Sequence, residues 1–165
     1  MHPLLARADR ALREHAGLSP EALLRRPDGK WSAAEILEHL GLTYSGTTRG
    51  LQRLIDHGVP ELPPPTLEQR LGTLVVVTLG YFPAGRVSPD AMRPKGTADP
   101  ATVLASTRAS LAAMDTALDA AELRFGPRLR LLQHPVLGPF SLHQWRRFHW
   151  VHTRHHARQI RARAG

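Results

Sequence analysis

Apolar positions along the chain recur mostly at helical spacing, and strand-like alternation is scarce. Leu4, Leu5, Ala8 and Leu12 follow Pro3, which suits a first helical position because the N–H it lacks would have no partner there. This pattern predicts a first helix from Pro3 to about Ala16. Ser19 and Pro20 open a short turn, which Pro27 and Gly29 of the loop RRPDGK stop. Ser32 followed by Glu35 is a capping box, in which each side chain satisfies the other residue's free backbone N–H. A second helix is expected from about Ala33 to His57, closed by Gly58, with its apolar stripe on Ile36, Leu37, Leu40, Tyr44, Leu51 and Leu54.

After the stiff proline run VPELPPPT, the segment LEQRLGTLVVVTLGYF is ambiguous. Its front half is polar and helical, whereas TLVVVTL is β-branched and suits a strand. It is assigned as a helix. Pro83 to Asp99 reads as a long irregular crossing. Asp99 with Pro100 predicts the cap of a third long helix, running to about Leu123 with Val103, Leu104, Leu111, Met114 and Leu118 inward. The stretch FGPRLRLLQHPVLGPF is expected to be a loop with one extended piece around Arg128 to Leu132. Ser141 with Gln144 forms another capping box and opens a last long helix that runs nearly to the end. The expected architecture is therefore all-α, a single domain over residues 1–165, with four long helices in a bundle. The irregular insertion lies between the second and third long helices and lets them run the same way.

Composition narrows the function classes. The chain has 165 residues, 42% hydrophobic and 22% charged, which suits a globular domain with its own core. It has no cysteine, so a disulfide, a thiolate ligand and a cysteine nucleophile are all excluded. No run approaches the roughly 18 to 20 apolar residues of a membrane span, and the start MHPLLARADRALREH lacks the pattern of a secretory leader. A cytoplasmic location without membrane contact is expected. The net charge of +8 is uneven, since no acidic residue follows Glu122. Such charge suits an anionic partner, and equally a merely solvated face.

The last helix separates its residue types by angle. At about 100° per residue, Trp145, Phe148, His149, His156 and Gln159 fall within about 60° of His152, while Arg146, Arg147, Arg154, Arg158 and Arg161 fall on the far side. The histidines are expected to face inward and the arginines water. His152 and His156 are one turn apart, a spacing suited to a shared metal ion, or to two core histidines with ordinary partners. His39 on the second long helix is the candidate third ligand, at the margin of its apolar stripe. Gly46 and Gly50 lie on its side and leave room for a backbone or a ligand, unless they merely weaken the helix. Three neutral imidazoles suit Zn²⁺ or Ni²⁺ and leave a position open. His134, His149 and Gln159 are candidates for orienting the site, with structural roles as the alternative for each. His155 is expected at the edge of the bundle.

KWSAAEILEHL, followed by HPVLGPFSLHQWRRFHWVHTRHHARQI, resembles the DinB/YfiT-like superfamily, in particular its branch with a late H-P-x-x-G-x-x-S-x-x-x-W and H-x-x-H-H-x-x-Q. The similarity spans the second helix to the end, except for residues 59–98. The resemblance implies an up-down-down-up four-helix bundle with one divalent metal on His39, His152 and His156. Better studied relatives are S-transferases and isomerases that use bacillithiol, mycothiol or glutathione. The resemblance thus implies an external low-molecular-weight thiol as a cofactor.

Three functions follow from these readings. The first is a metal-dependent enzyme, a transferase or hydrolase, acting on a small-molecule substrate. The second is a metal-binding bundle that serves stress response or assembly without catalysis. The third, least favoured, is a nucleic-acid or other polyanion binder using the arginines, since aromatics make up only 5% and no nucleic-acid motif is present. Trp150, on the outward face, marks a homodimer contact or packs under the insertion. Glu35 is one turn from His39, but its capping role already explains it. No residue is assigned as catalytic.

Overall fold

A computed structural model describes residues 1–27, 29–83 and 88–164 of the chain. The elements are α1 (Pro3–Arg13), α2 (Pro20–Leu24), α3 (Ala33–His57), α4 (Leu67–Thr73), α5 (Val103–Phe125), β1 (Arg130–His134), β2 (Gly138–Ser141) and α6 (Leu142–Ala164). The four long helices α1, α3, α5 and α6 share one core, with α3 on α5 and α6 on α1 and α3. Leu5, Leu12, Leu37, Leu40, Tyr44, Leu111, Met114, Leu118 and Ile160 are fully buried in it. This is the expected all-α bundle.

Start signals mostly hold. The Ser32–Glu35 capping box forms in both directions, and Gly58 closes α3 at φ +88°. Ser141 and Gln144 satisfy each other's backbone N–H groups at the start of α6. Two boundaries move. The first helix stops at Arg13, and the chain passes through a turn to Leu18. Asp99 accepts from the N–H of Ala101 and carries a turn, so α5 begins at Val103 rather than Pro100. Residues 84–87 of the predicted crossing, Asp28 of the RRPDGK loop and Gly165 lie outside the described residues.

The ambiguous third segment is helical as far as Thr78, in two forms, and non-helical from Leu79 to Phe82. Thr66 and Gln69 cap α4, and Leu74–Thr78, β-branched from Val75 on, widens into a π-helix before Gly80 turns the chain at φ +71°. Its terminal carbonyls are held from α6. Arg147 donates to Val77 and Thr78, and Arg154 to Gly80 at 2.9 Å. These cations at a helix C-terminus satisfy carbonyls with no partner in their own helix.

Three expectations are corrected. The stretch before α6 is a hairpin of two antiparallel strands, not a loop with one extended piece. A second strand was hidden because Gly138 and Pro139 open it, and both are depleted in strands. Arg146 does not face water: it is 3% exposed and pairs with Asp119 (2.7 Å) and Glu122 of α5. Arg158 and Arg161 are exposed as expected, Arg161 bonding Glu14 at 2.6 Å, while Arg147 and Arg154 form the two clamps just described. The angular reading assumed one packed face, whereas α6 is surrounded by α1, α3, α5 and the π-helical segment. Trp150 is half-buried against the core, with Arg154 over its ring.

Candidate metal centre

Two helices bring three histidines together. His39 projects from α3, and His152 and His156 project one turn apart from α6; all three are buried. The Nε2 atom of His152 lies 3.2 Å from that of His39 and 3.0 Å from that of His156, and the three ligand atoms all lie within 4.8 Å of one another. Two ligands at 2.0–2.1 Å from a tetrahedral ion are about 3.3 Å apart. The two separations from His152 are within a few tenths of an ångström of that geometry.

Proton counting explains why the cluster suits a cation. The Nδ1 of His39 meets the carbonyl of Met92 at 2.7 Å, so this nitrogen carries the proton and Nε2 is a bare lone pair. The same holds for His156, whose Nδ1 donates to Oε1 of Gln159 at 2.7 Å. Both lone pairs point at Nε2 of His152. A proton there can serve one of the two contacts and leaves the other as lone pair against lone pair. Adding further protons is disfavoured, because burial lowers the pKa of all three rings, to about 3 for His156. One cation among the three nitrogens removes the conflict. The Nδ1 of His152 has no partner among the described residues.

The surrounding contacts fix the rings. Trp31 packs on His39 at 5.1 Å between ring centres, and Phe148 stacks on His152 at 5.3 Å. Gln159 also donates to Nε2 of His155 at 3.1 Å, and His155 lies half-buried against Phe82. Gly46 has a structural reason: a Cβ there would stand 2.6 Å from Cε of Met92. Removing that Cβ lets the turn at Asp90–Met92 approach α3 and present its carbonyl to His39. Gly50 admits Leu132 of β1 in the same way, at 2.9 Å.

Of the three orienting candidates, only Gln159 touches a member of the cluster by hydrogen bond. His149 is fully buried and its Nε2 meets Oγ1 of Thr47 at 3.0 Å. Thr47 already donates to the carbonyl of Thr43, so His149 is the donor in that pair. His134 holds the hairpin turn: its Nδ1 accepts from the N–H groups of Val136 and Leu137, and its ring stacks on Phe140. Burial lowers its pKa to about 4. Glu35 is occupied by Ser32 and Arg26, away from the cluster's proton contacts. A backbone carbonyl such as that of Met92 has no side-chain signature, and only Gly46 hinted at its approach.

The family model of the DinB superfamily matches residues 4–160. The chain belongs to the DinB superfamily. No curated protein and no solved structure matches it significantly. In this DinB bundle the three histidines open onto a cavity of about 840 Å³, whose walls include Phe82, Met92, Leu132, Leu137 and Phe148. No helix among the described residues is long and apolar enough to cross a membrane.

Proposed function

We propose that His39, His152 and His156 hold one divalent cation, zinc or nickel, and that the protein is a metal-dependent enzyme working on a small molecule in the adjoining cavity. The observation that carries this reading is the convergence of bare Nε2 lone pairs at the end of a large apolar cavity. Held by His39, His152 and His156, a divalent cation would lower the pKa of a thiol or water brought to it and so supply the deprotonated form at neutral pH.

The chain's own part is positioning and exclusion of water. Met92 and Gln159 fix the ring orientations of His39 and His156 and keep their protons on Nδ1. Phe82 and Phe148 cover His152. With no cysteine in the chain, any thiol must come from outside. A thiol-dependent S-transferase using a low-molecular-weight thiol in the cytoplasm is the form of the reaction we favour; hydrolysis by water is the other.

The test is a transfer assay on tag-free, zinc- or nickel-loaded protein, with glutathione, mycothiol or bacillithiol and the electrophile monochlorobimane. Thiol-dependent turnover that falls at least 100-fold in His156→Ala is expected. Background rates with every thiol, from protein shown to carry its metal, would favour the non-catalytic metal-binding bundle.

A further inference from the structure

The cavity has two ends. The histidines lie at one, beneath Trp31 and Met92; at the other, Gly50 and Arg53 of α3 face the hairpin and α4. His39, Thr43, Gly46, Gly50 and Arg53 fall within about 40° of one line along α3, and the axis from residue 39 to residue 53 is about 21 Å long. Met92 seats on Gly46 and Leu132 on Gly50, so the floor between the two ends is mainly apolar, with Thr43 and Thr47 beside them.

The far mouth is apolar and carries Arg53 of α3 together with Glu68 of α4, which form no ion pair with each other. Leu71 and Val136 line the cavity yet are 63% and 49% exposed. Apolar side chains left in water at the lip of an apolar cavity gain by being covered. Among the described lining residues the charged ones are Lys30, Arg53 and Arg163, against Glu68 alone. Arg163 is engaged with the carbonyl of Trp31 at 3.2 Å, and Lys30 precedes Trp31 at the histidine end. Arg53 is the cation of the far mouth, and it has no carboxylate partner among the described residues.

We infer that the cavity takes an elongated amphiphilic anion, with its apolar body along the α3 trough toward the histidines and its anionic group on Arg53. The inference rests on the histidine end being the reacting end, but binding is measured separately from metal content. Tag-free protein is titrated calorimetrically with octanoate, 1-octanol and octyltrimethylammonium, before and after metal removal by chelation. Octanoate is expected to bind about tenfold more tightly than the other two, with or without metal. Arg53→Gln should remove that tenfold advantage and leave octanol unchanged. Arg53 is exposed, so the variant should melt with the parent protein.

Equal affinity for the three probes, no binding of any of them, or an unchanged octanoate affinity in Arg53→Gln overturns the inference. Octanoate affinity that disappears with the metal and ignores Arg53 also overturns it, because the anion is then read at the histidines. Arg53-dependent binding by a chain that takes up no metal would sustain this inference and sink the metal reading alone.

Discussion

Gln159 is the residue whose role is narrowest, since it fixes one ring by one hydrogen bond. Gln159→Ala should weaken metal binding about tenfold with little change in melting temperature, as measured by calorimetric titration. Unchanged affinity would mean that the His156 ring is held by packing. His134 and His149, outside the cluster, add to the pH dependence that the buried cluster histidines also give. Burial lowers their pKa values to about 4 and about 3, whereas an unfolded histidine titrates near 6.5. Below pH 6.5 the unfolded chain therefore binds protons that the folded chain refuses. Stability is full above about pH 6.5 and falls toward pH 4, by about 1.4 kcal/mol per pH unit for each histidine. Urea midpoints at pH 7.5, 6 and 5 read this directly; a flat series would contradict the burial of these rings.

The elements differ in how plainly they could be read. Capping boxes and glycine stops located α3 and α6, because those signals act within one turn of backbone. The hairpin and the π-helix escaped for different reasons: β2 opens on Gly138 and Pro139, which are poor strand formers, whereas the last carbonyls of Leu74–Thr78 need Arg147, about 70 residues away. The same limit hid the burial of Arg146. Angles along α6 placed His152, His156 and Gln159 together, but could not show that α5 would cover the flank carrying Arg146. Arg146→Ala should cost about 2 kcal/mol, mainly from lost packing of its buried stem, because Asp119 and Glu122 are exposed enough to be rehydrated. A chemical denaturation curve that matches the parent protein would show that the pair contributes nothing.

The bundle as a whole serves to bring two helix faces, remote in sequence, against each other at one level. His39 lies 113 residues from His152, and the long crossing between α3 and α5 also delivers Met92 to the same place. The positive charge is spread differently from what composition suggested. Arg146, Arg147, Arg154, Arg161 and Arg163 all hold other parts of the chain, so these side chains are engaged within the fold. Trp150 is half-buried, and light scattering on Trp150→Ala should give the same mass as the parent protein, against the homodimer contact that its position on α6 allowed. The decisive measurement is the divalent metal content of protein purified without a histidine tag and dialysed against zinc or nickel, compared with His152→Ala. One ion per parent chain and none in a still folded variant is the predicted result. A parent chain without bound metal, or a variant that keeps it, would contradict the three-histidine centre.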